Sequence, residues 1–274
     1  MSRKPIALLR NITFRYPGDN FDLLRNIALE VQPGEVVMLA GPNGSGKSTV
    51  LSLLSGRLAP TSGMVQVFGM NPQLVNRTPG IGLITEPFHP EQSPLPVDFS
   101  LRRILRWMSV IDGISVDDAS PLLDRLKIST TLLNRRIDSL SKGERQRIML
   151  LIVLLRRPGL ILADEPLEGL DRCSRRLIGE CLHAYTGDGL RSVLWVSHHL
   201  IETIRYASRI IQIEDAQLIE QPTDRYAFRI ATPEGASETI TVGDLAALPG
   251  FVDKHLAENR SLHIEITQPG ENAE

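Results

Sequence analysis

The sequence contains no hydrophobic run long enough to cross a lipid bilayer. Its longest apolar stretches, such as IMLLIVLL at 148–155, are far shorter than the roughly 20 residues that a transmembrane helix needs. The opening residues, MSRKPIALLRNITF, lack the long apolar core and the small-residue cleavage site of a secretory signal, and their alternation is typical of a β-strand. The sequence therefore predicts a chain that does not cross a membrane unaided.

Cysteine is scarce. The chain has 2 cysteines, Cys173 and Cys181, and their spacing is neither that of a zinc site nor that of a disulfide framework. We expect reduced thiols in a cytosolic protein.

An excess of charge of either sign is also absent. The chain has 274 residues, with 30 Lys and Arg against 32 Asp and Glu, and 42% of its residues are hydrophobic. This balance argues against a basic protein that binds polyanions and against a disordered acidic chain, so no nucleic-acid partner is expected. The length allows one large globular domain, or one domain with an appendage.

A glycine-rich turn follows the apolar strand VVMLA and precedes the amphipathic helix KSTVLSLLSGRL. In GPNGSGKST, Gly41, Gly44 and Gly46 let the backbone wrap closely around a phosphate chain, whose oxygens face the loop N–H groups and the helix N-terminus. Lys47 adds a positive charge at the β and γ phosphates, and the hydroxyl of Ser48 can ligate Mg²⁺. A loop that merely turns is the simpler alternative.

A second apolar strand ends in two acids. In GLILADEPLEGLD the run ends at Asp164 and Glu165, at a strand end where open α/β sheets bind ligands. Asp164 is assigned to Mg²⁺, directly or through water, and Glu165 to polarising the attacking water. Solvated loop carboxylates are the alternative for this segment taken alone.

These motifs together resemble those of the ATP-binding cassette (ABC) ATPases over roughly residues 6–215. GPNGSGKST is similar to the Walker A motif of that family, LILADEP to Walker B, LSKGERQR to the signature LSGGQxQR, EGLD to the D-loop and WVSHHL to the switch-histidine segment. The resemblance implies a fold with a RecA-like P-loop core, an antiparallel β-subdomain and a helical subdomain. It implies ATP and Mg²⁺ as the bound groups, with the phosphates contacted by Gly41, Pro42, Asn43, Gly44, Ser45, Gly46, Lys47, Ser48 and Thr49.

Two further contacts follow from the resemblance. Tyr16 of FRYPG is placed to stack on adenine, although a core or surface tyrosine would be the commoner reading of that residue alone. His198 is placed to donate a hydrogen bond to the γ-phosphate or the attacking water. His199 is its rival, and His198 is preferred because it directly follows Ser197 at the strand end. Lys47, Glu165 and His198 are thus the predicted catalytic residues.

The stretch SLSKGERQR begins the helix that continues into IMLLIVLL. Ser141 is a good N-cap, Gly143 permits close backbone approach, and the positive end of the helix dipole attracts anions. Taken alone, this is an ordinary capped helix. The resemblance implies instead that Ser141 and Gly143, with Asp171 of the D-loop, contact ATP held by the opposing subunit of a head-to-tail dimer.

Three residues depart from the family pattern. IGLITEPF places Glu86 where the family usually has a glutamine, and a carboxylate can ligate Mg²⁺ but cannot donate a hydrogen bond. Lys142 and Glu144 replace the Gly and Gln of the signature, and Glu144 is a favourable charge in the first turn of a helix. A glutamate at 86 and an LSKG signature resemble the exporter branch, which moves drugs or polysaccharides, more than the importer branch.

The pattern of apolar residues predicts strands near 6–14, 27–31, 36–40, 64–68, 81–84, 160–163, 192–196 and 209–213, and alternation in MVQVFG supports one of them. SLRRILRWMSVI and DASPLLDRLKI predict two amphipathic helices after the first strands and the phosphate-loop helix. We expect an ATPase domain at 1–221, with its helical subdomain at about 87–158, and a small α+β appendage at 222–274. The appendage is predicted to hold a hairpin turning at 233–235, a short helix within 242–258 and a strand at 261–267.

The resulting hypothesis is a cytoplasmic ATP hydrolase on the inner face of the cell membrane. Its expected partners are ATP, a second cassette subunit and integral membrane transporter subunits, and it would power an exporter. An importer cassette and a soluble cassette without a transporter are the alternatives.

Overall fold

The computed structural model describes residues 4–75, 80–85, 96, 98–114, 116–197, 203–220, 226–231 and 237–242. Within these residues the chain forms three sheets and six α-helices. None of these helices is both long enough and apolar enough to span a lipid bilayer.

The first sheet has three antiparallel strands. β1 (Ala7–Phe14) lies in the centre, between β2 (Leu24–Val31) and β4 (Ser62–Val67). Buried and exposed residues alternate along most of β2, as expected for a sheet with one face on the core and one in solvent. This sheet therefore covers one side of the domain.

The second sheet has six strands in the order β5-β6-β7-β3-β8-β9. Five are parallel and β9 is antiparallel to β8. The strands are β3 (Val36–Ala40), β5 (Ile81–Ile84), β6 (Leu160–Asp164), β7 (Ser192–Val196), β8 (Arg209–Glu214) and β9 (Gln217–Glu220). Because β3, β6 and β7 are neighbours and parallel, their carboxyl ends meet at one edge, where ligands bind in such sheets.

The central strands are buried on both faces and feed two separate cores. On β6, Ile161 and Ala163 pack in a core shared with the helices, whereas Leu160 and Leu162 pack in a core shared with the antiparallel sheet. This division follows from the two-residue period of a strand. The continuous apolar runs VVMLA and SVLWV are buried at every position for the same reason.

The helices are α1 (Lys47–Leu54), α2 (Pro72–Val75), α3 (Leu101–Asp112), α4 (Val116–Arg125), α5 (Lys142–Leu155) and α6 (Arg172–Tyr185). All residues of α5 from 148 to 155 are buried, because this helix is apolar around its whole circumference after its charged first turns. Its polar beginning and apolar continuation place one end at the surface and the rest in the core.

The predicted strands up to residue 221 are confirmed, with small shifts at their ends. β2 begins at Leu24 rather than at 27, and the two amphipathic helices are α3 and α4. In the proposed appendage, β10 (Tyr226–Ala231) and β11 (Ser237–Val242) form the predicted hairpin. The turn at 233–235, the helix within 242–258 and the strand at 261–267 lie outside the described residues. The boundary at 221/222 stays a prediction.

Candidate functional site

The phosphate loop runs from the end of β3 to the start of α1, and two of its glycines are required by the geometry. Gly41 has φ +143°, and a methyl group there would lie 2.8 Å from the carbonyl oxygen of Ile213. Gly46 has φ +105°, and a methyl group there would lie 2.8 Å from Cδ2 of Leu24. Positive φ and close packing together disfavour a side chain at both positions.

Lys47 begins α1 and lies across this loop. Its Nζ donates hydrogen bonds of 2.8 Å to the carbonyl oxygens of Gly41 and Pro42. Burial lowers the pKa of Lys47, while the charges of Glu165 and Asp164 act in the opposite direction. An ammonium group has three donors, so Lys47 keeps one for a further acceptor at the loop.

The two acids predicted at the end of β6 lie close to this lysine. Asp164 Oδ1 accepts a hydrogen bond of 3.2 Å from the hydroxyl of Ser48. Glu165 has φ +44°, an unusual conformation for a residue with a side chain, and its N–H donates to the carbonyl of Val196 at 3.0 Å. Residues other than glycine that adopt the left-handed conformation and line a cavity are often functional.

Part of the phosphate loop, the start of α1 and Glu165 line a cavity of about 390 Å³. Its walls include Lys47, Ser48, Thr49, Glu165 and several loop residues predicted from the sequence. The cavity therefore brings together the phosphate loop and the carboxylate that were predicted separately.

The cavity has a second, aromatic end. The Tyr16 hydroxyl lies 3.1 Å from that of Thr49, and the Tyr16 ring packs edge-on against Phe14, with centroids 4.9 Å apart. Tyr16 is 41% exposed and Phe21 is 58% exposed, and both line the cavity. Two aromatic rings next to a phosphate loop form a surface on which a base can stack.

Sequence reasoning missed three residues at this end of the cavity. Asp19, Phe21 and Leu23 line it together with Tyr16. All three lie in the loop between β1 and β2, and the exposed phenylalanine after the Pro-Gly turn was the available signal.

The signature stretch lies at the start of α5, and its N-cap is complete. Ser141 Oγ accepts from the Glu144 N–H at 3.3 Å, and the Glu144 carboxylate accepts from the Ser141 N–H at 2.8 Å. This reciprocal pair is a capping box, and the S-x-x-E spacing was its sequence signal. The hydrogen bond from the Ser141 backbone lowers the pKa of Glu144. Glu144 therefore has a structural role that its charge alone did not indicate.

Asp171 has a comparable role at the start of α6. Its carboxylate accepts from the N–H of Ser174 at 2.9 Å and from the Ser174 hydroxyl at 2.7 Å. These bonds lower the pKa of Asp171, with the backbone N–H of Ser174 as the main cause. Ser141, Gly143 and Asp171 are not among the residues that line the nucleotide-sized cavity of their own chain. Glu86, His198 and His199 lie outside the described residues.

The arrangement of sheet, loop and acids defines a class of protein. The phosphate loop follows the central strand β3, and the acid pair follows β6, which β7 separates from β3 in the parallel sheet. An antiparallel sheet covers one side of the domain. These features are typical of a P-loop nucleoside triphosphatase of the cassette type. The amino-acid sequence matches the family described as ABC transporter over residues 24–168. The chain belongs to this family and is an ATP-binding ATPase cassette, as the sequence predicted.

The relatives agree with this assignment. A putative ABC transporter ATP-binding protein of Methanosarcina mazei is 33% identical over 231 residues, which are 80% of this chain and 44% of the relative. This chain thus spans less than half of that protein. A zinc import ATP-binding protein, ZnuC, of Mannheimia succiniciproducens is 32% identical over 72% of this chain and 68% of its own length. An Fe(3+) ions import ATP-binding protein, FbpC, of Photobacterium profundum is 30% identical over 92% of this chain and 71% of its own length.

A solved structure has the same fold. It is a dimeric ATP-binding cassette in a post-hydrolysis state, bound to ADP and Pi. The TM-score is 0.67 at 25% identity, and the match covers 78% of this chain and 97% of the other.

Proposed function

We propose that this chain hydrolyses ATP between two cassettes arranged head to tail, and that the reaction drives a transporter formed with integral membrane subunits. In this proposal the protein works in the cytoplasm, on the inner face of the membrane. The observation that carries it is the common cavity of Lys47, Ser48 and Glu165, with Asp164 bonded to Ser48 at its edge.

The donor set at this edge suits Mg²⁺. The Ser48 hydroxyl and the Asp164 carboxylate are hard oxygen ligands 3.2 Å apart. No cluster of three or more His, Cys, Asp or Glu side chains that could hold a metal occurs in the described part of the chain. A magnesium ion with few protein ligands, completed by phosphate oxygens and water, fits this pair, and when bound it neutralises charge on the phosphates. Glu86 is a further proposed ligand.

Each chemical role is assigned to one group. Lys47 binds the β and γ phosphates, since it already lies across the loop with its ammonium at the carbonyls of Gly41 and Pro42. Glu165 accepts the proton of the attacking water as the bond to the γ-phosphorus forms, and ADP leaves with its new terminal charge next to Lys47. Tyr16 holds the adenine. His198 is proposed to orient the γ-phosphate.

The second half of the site comes from another subunit. The capped N-terminus of α5 offers backbone N–H groups and the positive end of a helix dipole, and Ser141 and Gly143 do not line the cavity of their own chain. A second copy, or a related cassette, that faces this cavity would present the same helix end to the γ-phosphate. Asp171 would contact the facing subunit beside it.

Replacement of Glu165 tests the reaction. We expect Glu165→Gln to lower the rate of phosphate release by about 100-fold or more, while ATP binding persists and ATP traps a dimer. Phosphate release and size-exclusion chromatography with and without ATP measure both effects. Glu180→Gln, which changes the same chemical group on the exposed side of α6, is the matched control. Near-normal turnover in Glu165→Gln would refute the assignment.

The direction of transport is a separate proposal. The LSKG signature and Glu86 favour an exporter. Two relatives are named as zinc and iron import proteins, and this favours an importer as the second candidate. Purification of the tagged chain from detergent-solubilised membranes, followed by reconstitution of its membrane partners in vesicles, separates the two. With ATP supplied on the cassette side of the vesicle membrane, movement of cargo away from that side supports export, and movement toward that side supports import. The absence of any membrane partner would exclude a transporter.

The remaining residues, 222–274, are proposed to form an accessory domain. The hairpin of β10 and β11 supports this proposal, since each strand pairs with the other and with no other described strand.

A further inference from the structure

Lys142, which stands where the family signature has glycine, lies directly against the D-loop of its own chain. A methyl group built on Gly169 would collide with Nζ of Lys142 and would lie 2.9 Å from its Cε and 3.2 Å from its Cδ. Gly169 has φ +64°, in the left-handed region. The end of the lysine side chain, from Cδ to Nζ, thus covers the backbone at the one position of the EGLD stretch that has no side chain.

The neighbouring residues continue this contact. A methyl group on Gly143 would lie 3.4 Å from Oγ of Ser174 and 3.9 Å from Cδ2 of Leu170. Ser174 is held in turn by Asp171, the N-cap of α6. The beginning of α5 therefore packs against the D-loop and the beginning of α6, with Lys142 at Gly169 and Gly143 near Ser174.

The contact of Lys142 is one of packing rather than of charge. Its ammonium makes no hydrogen bond or ion pair with any residue in the described ranges, and two acids nearby are already engaged. Glu144 accepts from the backbone of Ser141, and Asp171 accepts from Ser174. What Lys142 contributes to the D-loop is the packing of its unbranched side chain, from Cδ to Nζ, over Gly169.

We propose that Lys142 is a positioning residue that fastens the D-loop to the signature turn of the same subunit, so that both elements meet a second copy as one unit. The effect on turnover rests on the proposed function, because both elements would act at the dimer interface. The fastening itself does not rest on it, because Lys142 and Gly169 belong to one chain.

Hydrogen–deuterium exchange of the nucleotide-free protein tests the fastening. Two D-loop amides report on the exchange. The Glu168 N–H donates to the backbone carbonyl of Glu165 at 3.1 Å, and the Leu170 N–H donates to the backbone carbonyl of Leu167 at 3.2 Å. We expect Lys142→Ala, which removes the stem, to speed the exchange of residues 167–171 several-fold. Lys142→Met keeps an unbranched side chain without the charge. In this variant, the exchange rate of residues 167–171 should be close to that of the unchanged protein. Alanine and methionine are both good helix formers, so the start of α5 is not weakened by either change.

Turnover gives the second readout. If the proposed function holds, Lys142→Ala should lower kcat by about tenfold and change KM for ATP by less than about twofold, because the cavity that binds ATP is unchanged and only the closed interface is affected. Unchanged exchange in Lys142→Ala would overturn the proposal, and so would equally fast exchange in Lys142→Met. If the unchanged protein hydrolyses no ATP, the proposed function fails, whereas the exchange comparison still decides the fastening.

Discussion

The hydroxyl of Ser48 lies 3.2 Å from the carboxylate of Asp164, although 116 positions separate them in the sequence. The contact exists because Ser48 follows β3 and Asp164 ends β6, and both strands run in the same direction with only β7 between them. A hydroxyl oxygen and a carboxylate oxygen are thereby placed together next to the phosphate loop.

This pair makes the metal dependence testable. We expect Asp164→Asn to lower ATP turnover by about 100-fold, equivalent to about 2.7 kcal/mol in the barrier, because the amide binds Mg²⁺ far less well than the carboxylate. Turnover should be measured as a function of the Mg²⁺ concentration, and the half-maximal concentration should rise. Asp124→Asn, an exposed residue of α4, is the control. An unchanged magnesium profile would remove Asp164 from the metal site.

The aromatic end of the cavity predicts a change in ATP affinity. Tyr16→Ala removes a stacking surface worth about 1–3 kcal/mol per base, so KM for ATP should rise by about 5- to 150-fold with a smaller change in kcat. Tyr16→Phe loses only the contact with the Thr49 hydroxyl and should have a much smaller effect. Phe21→Ala should raise KM as well. Leu190→Ala is the control, because Leu190 is exposed but does not line the cavity, and it should leave KM for ATP unaltered. A rise in KM in Leu190→Ala as large as that in Phe21→Ala would argue against stacking.

The capping box predicts a pH-dependent contribution to stability. Hydrogen bonds lower the pKa of Glu144 in the folded protein, so its contribution is present above the pKa of the unfolded chain and is lost as the pH falls through the lowered value. Glu144→Ala should lower the free energy of unfolding by about 1 kcal/mol at pH 7. Urea unfolding at pH 7 and at about pH 4 should show this difference shrinking in acid. A difference that is constant with pH would show that the carboxylate charge is not involved.

The phosphate loop predicts a stability cost from packing. Gly46→Ala brings a methyl group to 2.8 Å from the fully buried side chain of Leu24. Gly18 has a similar φ, +95° against +105°, but a methyl group there would meet nothing within 4 Å. Both variants should suffer backbone strain, whereas the Gly46 variant should lose about 1–3 kcal/mol more in the free energy of unfolding. Equal losses of unfolding free energy in the two variants, measured by denaturation, would show that the side chain of Leu24 moves aside without an energetic cost.

Much of this protein follows from its sequence alone. The strands, the helices α1, α3, α4 and α5, and the family motifs could be predicted because each depends on residues close together in the chain. Alternation fixes a strand, a Gly-rich turn before Lys47 fixes the phosphate loop, and an acid at the end of an apolar run marks Asp164 and Glu165. The capping box is equally local, since Ser141 and Glu144 are three residues apart. The sequence indicates Ser141 as the N-cap and Glu144 as a favourable charge, whereas the reciprocal hydrogen bonds between them are seen only in the structure.

Tertiary structure decided which of these local features meet. The sheet order places β7 between β3 and β6, and so brings Ser48 to Asp164. The folding of the loop between β1 and β2 places Phe21 and Tyr16 in the wall of one cavity. The packing of α5 near the start of α6 brings Lys142 to Gly169. Such contacts join residues far apart in sequence, and they depend on strand order and helix packing, which no short-range pattern encodes. The sequence therefore determined the parts of the ATP site, whereas the arrangement of those parts around one cavity was decided by the fold.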